Sequence, residues 1–167
     1  MKKFTIDYFE NLLTAAAHSE RLRMHENLHN SFSDPCQKLF NAICPNSYIR
    51  PHRHLLDPKD ETLIAIKGLF GLFIFSDEGS LQSIELFGSQ DYSEKYSIAF
   101  GVEVPSSAWH TVISLVEKSI LFEVKSGPFN PHLSKEYARW APEEGSSLAH
   151  EYNQNLRNTA LGKLHLN

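Results

Sequence analysis

Four residues with metal-binding side chains occur at spacings that would bring them together on neighbouring strands. In "SYIRPHRHLLDPKDETLIAIKG", His52 and His54 lie two positions apart, and such residues on a strand point to the same face. Glu61 follows the "DPKD" turn, so a hairpin would return its carboxylate towards both imidazoles. His110 begins the strand-like run "HTVISLV" after a proline turn. Histidines with one carboxylate suit iron, zinc, manganese or nickel, so the sequence predicts a divalent metal at a reactive site.

Three further side chains are candidates for chemistry beside such a metal. Arg50 and Tyr48 share the predicted face of the histidines. Arg50 is a candidate for binding an anionic substrate group such as a sugar-linked phosphate, and a salt bridge at the rim is the alternative. Tyr48 is a candidate proton donor or a pocket-lining residue. Glu123 in "ILFEVK" is a candidate acid or base, with a structural pair to Lys125 or an arginine as the alternative.

Helical patterns flank the region that carries these residues. The segment "TIDYFENLLTAAAHSERL" has apolar residues at helical spacing and predicts an amphipathic helix. The segment "SDPCQKLFNAICP" predicts a second, short helix with Asp34 as N-cap and Pro35 at its first position. Between them, His25, Asn27 and His29 form a polar run that is predicted to be a surface loop, and folding over the site is the alternative.

The region between Ser47 and Lys125 has an apolar period of two. Strand-length runs rich in Ile, Val, Phe and Tyr are separated by turn signals such as "SDEGS", where Gly79 can adopt a positive φ. This pattern predicts an antiparallel sandwich or barrel. After Lys125 the chain is rich in turn residues, and its last part predicts a helix or a partly ordered tail.

The composition is typical of one soluble globular domain. The chain has 167 residues, of which 41% are hydrophobic and 22% charged. A net charge of −4 and the lack of a basic cluster argue against nucleic acid as a partner. The start of the sequence lacks the pattern of a signal peptide, and the longest apolar run, residues 69–75, is too short to cross a bilayer. We therefore expect no membrane partner, and a cytoplasmic location is the default expectation.

The candidate ligands also resemble the two motifs of the cupin superfamily. The first motif is a glycine, HxH, a glutamate and a final glycine, and it is similar to Asn46, His52, His54, Glu61 and Gly68. The second motif, PxGxxH, is similar to Pro105, Ser107 and His110. The chain departs from the family at Asn46 and Ser107, where glycine is usual, and in a longer gap between His54 and Glu61.

The order of four longer blocks resembles one cupin subgroup, the WbuC-type cupin-fold metalloproteins found among bacterial O-antigen and other surface-polysaccharide genes. The blocks are "NLHNSFSDPCQKLFNAICPNSYIRPHRH", "VEVPSSAWHTVISL", "LFEVKSGPFNP" and "WAPEEG", and the resemblance spans roughly residues 21–145. It implies an all-β double-stranded β-helix, which is the cupin or jelly-roll barrel. It further implies a divalent metal bound by His52, His54, Glu61 and His110, a role in polysaccharide biosynthesis, and a homodimer.

The expected organisation is a single domain with three parts. The barrel occupies residues 47–126, an N-terminal helical extension occupies residues 1–46, and an irregular or partly helical segment occupies residues 127–167. Inward-facing residues of a small barrel converge on its mouth, so we expect the metal site there.

Three functions remain open at this point. The first is a metal-dependent enzyme that acts on a small-molecule substrate, a sugar or sugar nucleotide, with Glu123 or Tyr48 moving a proton. The second is an iron-dependent oxygenase, because histidines and one carboxylate suit oxygen activation. The third is a non-catalytic, metal-organised module that binds a saccharide or regulates a pathway enzyme.

Overall fold

The computed structural model of the protein describes residues 1–164 and is built around two antiparallel sheets. In chain order the elements are α1 (Ile6–His18), β1 (Arg23–Asn27), β2 (Cys36–Ile43), β3 (His52–Arg53), β4 (Glu61–Lys67), β5 (Leu69–Phe75), β6 (Leu81–Gly88), α2 (Gln90–Tyr96), β7 (Gly101–Val104), β8 (Trp109–Ser114), β9 (Ser119–Ser126), β10 (Glu136–Tyr137) and α3 (Ser147–Leu164). One five-stranded sheet has the order β1-β2-β9-β4-β7, and the other has the order β10-β3-β8-β5-β6. This is the predicted all-β jelly roll, the cupin fold.

One apolar cluster fills the space between the two sheets. Leu63 of β4 and Leu121 of β9 face Phe70 of β5 and Val112 of β8 across the barrel. Side chains alternate along each strand, so the neighbours of these residues point to the outer faces of the sheets. The outer faces are themselves partly apolar, and the helices cover them.

The helices pack on opposite outer faces of the barrel. α1 places Leu12 and Leu13 against Phe40 of β2, on the outside of the first sheet. α3 packs Leu156 and Ala160 on the outside of the second sheet, in a cluster that includes Phe73 and Trp109. Since both faces of β5 are covered, nearly all of its residues are buried. Burial on two faces makes β5 and β8 a firm support for the interior site.

The predicted second helix is wrong, because Cys36–Ile43 forms the strand β2. This strand pairs along its whole length with β9 and along most of it with β1. Phe40 packs beneath α1 while its neighbour Asn41 lines the interior cavity, which is the period of a strand. The supposed cap, Asp34, instead accepts a hydrogen bond from the backbone N–H of Asn30 in the preceding loop. Tertiary pairing has therefore overridden local helix signals, and β1 and β2 belong to the first sheet.

Two predicted strands are shorter than expected. In the run of residues 47–54 only His52–Arg53 pairs as a strand, and in the run of residues 96–105 only Gly101–Val104 does. The unpredicted helix α2 precedes the second of these. The "SDEGS" hairpin joins β5 and β6 as predicted, with φ +88° at Gly79.

The C-terminal part combines an irregular segment with a helix, as predicted. Trp140 anchors the segment, because its ring lies 5.0 Å from that of Phe75 and 6.2 Å from that of Trp109. The last residues of the predicted extension, 165–167, lie outside the described residues. None of the helices between residues 1 and 164 is long and apolar enough to cross a membrane.

The turn between β4 and β5 depends on glycine at position 68. Gly68 has φ +91°, and a Cβ there would lie 2.8 Å from Ser119 Cβ and 3.0 Å from Ser119 Cα. We expect Gly68→Ala to lower the free energy of unfolding by about 1–3 kcal/mol, measured by chemical denaturation. The matched control is Gly162→Ala in α3, where no atom lies within 4 Å of the added Cβ. That change should leave stability unaltered or raise it by up to ~1 kcal/mol. Equal losses in both variants would contradict this account of the turn.

Candidate metal centre

Three histidine side chains converge inside the barrel. His52 on β3 and His110 on β8 are directly opposite each other in the strand pairing, with ring centroids 4.6 Å apart. The backbone N–H of His54 donates to the carbonyl of Ser106, 2.8 Å away, which brings the third ring within 5.1 and 5.4 Å of the other two. One ring nitrogen from each histidine lies within 4.8 Å of the other two. All three are buried, with 4%, 3% and 2% of their surface exposed.

Backbone carbonyls determine which ring nitrogen faces the centre. The Nδ1 atoms of the three histidines hydrogen-bond to the carbonyls of Arg50, Ser134 and Ala108. A carbonyl can only accept, so each Nδ1 carries the hydrogen, and in the neutral ring Nε2 is then the nitrogen with a lone pair. Metal-binding histidines are commonly oriented by such a bond from the ring nitrogen that does not bind the metal.

Glu61 brings a carboxylate to the same point. It begins β4 directly opposite Lys125 of β9, and its Oε1 lies 3.1 Å from His54 Nε2 while its Oε2 lies 3.6 Å from His110 Nε2. Lys125 Nζ donates to Oε1 at 2.7 Å. Burial alone would raise the pKa of Glu61, but the adjacent Lys125 ammonium holds it well below its usual range. The structure thus brings all four predicted ligands together, with Glu61 ionised.

The donor set fits a divalent metal. The Nε2 atom of His54 is buried without a hydrogen-bond partner among residues 1–164, and such a buried polar atom is costly unless something binds it. Burial, together with the positive charge of Lys135, lowers the pKa of His52 well below its ordinary value. A neutral imidazole is the form that binds a metal. Three imidazoles and a carboxylate could hold iron, zinc, manganese or nickel.

A cavity of about 470 Å³ adjoins this centre. That volume lies in the range of small-molecule binding sites. The first sheet supplies most of the wall through alternate residues of its strands. The polar part includes His25, Asn27, Asn41, Glu123 and Lys125, and the apolar part includes Leu39, Ile43, Leu63, Val112 and Leu121.

Glu123 lies in this cavity, held by two hydrogen-bond donors. Lys125 Nζ is 2.7 Å from its Oε1, and Asn41 Nδ2 is 2.8 Å from its Oε2. The predicted structural pair with Lys125 therefore exists, and the carboxylate faces the interior as the acid–base hypothesis requires. Lys125 bridges Glu123 and Glu61, and these two carboxylates raise its pKa although burial alone would lower it.

Arg50 lines the cavity, and its guanidinium is held by a backbone carbonyl and a carboxylate. Its Nε and Nη2 donate to the carbonyl of Ala138 at 3.0 and 2.8 Å, and its Nη1 lies 3.6 Å from Glu143. This is the rim salt bridge that the sequence offered as the alternative to anion binding. Tyr48 does not reach the cavity, because its hydroxyl donates to the carbonyl of Pro142 at 2.9 Å. The expectation that Tyr48 shares a face with the histidines is wrong, since residues 47–51 do not form a regular strand.

The sequence did not reveal how β1 and the segment after β9 complete the cavity. His25 and Asn27 line it from β1, and His29 lines it just beyond that strand, rather than forming a surface loop. Lys135 and Tyr137 line it from the segment around β10. That strand has two residues, which is too short for a period to be recognisable.

Comparisons with known proteins agree with this fold. The family model described as "Domain of unknown function (DUF6016)" matches residues 4–87, a range that contains His52, His54 and Glu61 but ends before His110. No curated protein matches the chain.

Several solved structures share the architecture at low sequence identity. Protein SO0799 from Shewanella oneidensis has a TM-score of 0.56 at 12% identity, over 81% of this chain and 85% of that one. CapF, solved with the inhibitor 3-isopropenyl-tropolone, has a TM-score of 0.51 at 14% identity, over 68% of this chain and 30% of that one. Oxalate oxidase, solved with the substrate analogue glycolate, has a TM-score of 0.50 at 10% identity, over 72% and 57%. At such identities the likeness shows the cupin fold alone.

Metal content should depend on the three histidines. After removal of bound metal and reconstitution with zinc, we expect the chain to bind about one ion, and His52→Ala and His110→Ala to lose it. His150→Ala, an exposed residue of α3, is the matched control and should bind as the unaltered chain does. Elemental analysis of the dialysed proteins gives the result. Full zinc content in His52→Ala would contradict the assignment.

The stability of the metal-free protein should fall in mild acid. Because the pKa of His52 in the folded chain lies well below its ordinary value of 6.5, the unfolded chain binds the proton more readily. The free energy of unfolding should therefore decrease as the pH falls below about 6.5, by at most about 1.4 kcal/mol per pH unit for this group. Urea unfolding between pH 8 and 5 in the presence of a chelator measures it. His52→Gln should have a shallower dependence, and an identical dependence would contradict the assigned cause.

Proposed function

We propose that this chain, which belongs to the family described as domain of unknown function DUF6016, is a metal-dependent enzyme that acts on a small saccharide. One observation carries the proposal. The Nε2 atoms of three histidines converge with the Glu61 carboxylate, and His52, His110 and Glu61 line a cavity that also contains Glu123, a carboxylate held in place by two donors. Ligands and a candidate base around one cavity are what metal-assisted proton transfer requires.

The residues of the site would have two distinct roles, metal binding and proton transfer. His52, His54, His110 and Glu61 would hold the metal, which when bound polarises a carbonyl or hydroxyl oxygen of the substrate. Glu123 would accept a proton from a substrate hydroxyl or carbon, because its two hydrogen bonds leave lone pairs free while restricting its rotation. The four ligands lie on or beside paired strands, so their positions are maintained without substrate.

The cavity wall supports a saccharide as the substrate class. Asn27, Asn41 and His25 offer amide and imidazole groups for hydroxyls, while Leu39 and Leu121 offer an apolar surface for the C–H face of a sugar ring. The sequence resemblance to WbuC-type proteins supports a place in bacterial O-antigen or other surface-polysaccharide (lipopolysaccharide) biosynthesis, with a sugar nucleotide as one form of the substrate. The cytoplasmic location and the homodimer predicted from the sequence belong to this proposal.

An iron-dependent oxygenase is the second candidate. The observation that favours it is the donor set, since neutral imidazoles and one carboxylate beside a substrate cavity also suit ferrous iron and oxygen. Oxygen consumption that requires ferrous iron and a saccharide would favour it over an oxygen-independent reaction. A non-catalytic binding module would instead bind a saccharide without turnover, whether or not metal is present.

Substitution of Glu123 should separate catalysis from metal binding. Glu123→Gln retains the shape of the side chain and does not change the predicted ligands, so metal content should be unaltered. We expect the turnover of sugars or nucleotide sugars by the metal-reconstituted protein to fall about 100-fold or more, because the base is lost. Mass spectrometry of the products measures it.

The control for this experiment is Glu85→Gln, at an exposed position of β6. It should retain full turnover. Full turnover by Glu123→Gln would contradict the role of Glu123. Saccharide binding that needs no metal and never leads to a product would contradict the proposed enzyme and favour the binding module.

A further inference from the structure

We propose that Lys135 binds an oxyanion of the substrate, so that the cavity takes acidic sugars or sugar phosphates rather than neutral ones. The inference rests on the proposed function, because it names the substrate class of the same cavity. It concerns a residue that neither cupin motif contains and that the sequence pattern did not single out.

The pairing of β10 with β3 places Lys135 beside the metal centre. Glu136 is opposite Arg53 and Tyr137 is opposite His52 in this pairing. Glu136 points away from the cavity, where its carboxylate binds Arg53 at 2.8 Å. Because side chains alternate along an extended segment, Lys135 points the other way and lines the cavity.

The backbone next to Lys135 is itself tied to the centre. The carbonyl of the preceding residue, Ser134, accepts the hydrogen bond from His54 Nδ1. Lys135 also lines the same cavity as His52, His110 and Glu61. A group bound at Lys135 would therefore share that cavity with the predicted metal position.

The other cations in the cavity wall already have partners. Arg23 binds Glu144 at 2.7 Å, and Lys125 binds both Glu61 and Glu123 at 2.7 Å. Arg50 is held by a carbonyl and Glu143, as described above. Within residues 1–164, the Lys135 side chain has no hydrogen-bond or ion-pair partner, and the carboxylates of Glu61 and Glu123 act on it only through longer-range charge interaction.

Lys135 is half-buried in the cavity wall, and an ammonium that has lost part of its water gains from an anionic partner. Burial lowers the pKa of Lys135, and the distant charges of Glu61 and Glu123 oppose this. An oxyanion within hydrogen-bonding distance would supply the missing partner, and it would not have to displace an existing ion pair. A carboxylate and a phosphate share this chemistry, since an ammonium binds either as a compact point charge.

Three matched hexoses test the inference. Glucuronate carries a carboxylate, glucose 1-phosphate carries a phosphate, and glucose carries neither. Isothermal titration of the zinc-reconstituted full chain measures their binding, and elemental analysis gives the metal content of the same samples. We expect at least one anionic hexose to bind more tightly than glucose. The stronger of the two identifies the oxyanion as carboxylate or phosphate.

Lys135→Met should weaken the binding of the preferred anion about tenfold or more, since a charge-assisted hydrogen bond is lost. Lys135→Arg should retain most of it, which separates loss of charge from misfolding. The control is Lys38→Met. Lys38 is an exposed residue of β2, a strand whose alternate residues line the cavity, so this variant should bind the anion as the unaltered chain does.

Each outcome decides the inference separately from the proposed function. Loss of anion binding in Lys135→Met with unchanged zinc content supports it, whether or not turnover is found. Equal binding by Lys135→Met and the unaltered chain overturns it, and metal-dependent turnover would then leave the proposed function in place. Failure of both anionic hexoses to bind more tightly than glucose also overturns it.

Discussion

The Nε2 lone pairs of three buried histidines point towards one another, and the rest of the structure is organised around this arrangement. Each ring is kept in that orientation by a hydrogen bond from Nδ1 to a backbone carbonyl. Two of those carbonyls, at Arg50 and Ala108, come from the chain just before the histidine, and the third, at Ser134, comes from a segment eighty positions later. The tautomer of His54 is therefore a consequence of tertiary structure, which the pairing of β10 with β3 secures.

The two sheets have different roles around this centre. The second sheet contributes His52 and His110 from paired strands, and its outer face is covered by α3. The first sheet contributes Glu61 together with Lys125 and Glu123, and its outer face is covered by α1. The helices bury apolar residues on the outer faces of both sheets, and this burial stabilises the barrel. The interior can therefore hold charged groups. Lys125 then balances two carboxylates that would otherwise repel each other.

The sequence predicted the part of the site that depends on the alternation of side chains along a strand. Alternation along a strand placed His52 and His54 on one face. The hairpin expected to return Glu61 to them is wrong, because β3 and β4 lie in different sheets and Glu61 reaches the centre through the pairing of β4 with β9. The sequence failed where pairing partners are distant. β2 has helix-capping residues before it and becomes a strand through its pairing with β9, which is about eighty residues away in the chain. Lys135 belongs to a segment that is positioned only by its contact with β3, and no periodic signal marks it.

The central claim is that the three histidines and Glu61 hold one metal ion. Anomalous diffraction from crystals of the zinc-reconstituted protein, recorded above and below the zinc absorption edge, tests it most directly. We expect a single strong anomalous peak at about 2.0–2.2 Å from the Nε2 atoms of His52, His54 and His110, with the Glu61 carboxylate turned towards it. A peak at another position, or histidine rings that remain as arranged here with no anomalous peak between them at saturating zinc, would contradict it.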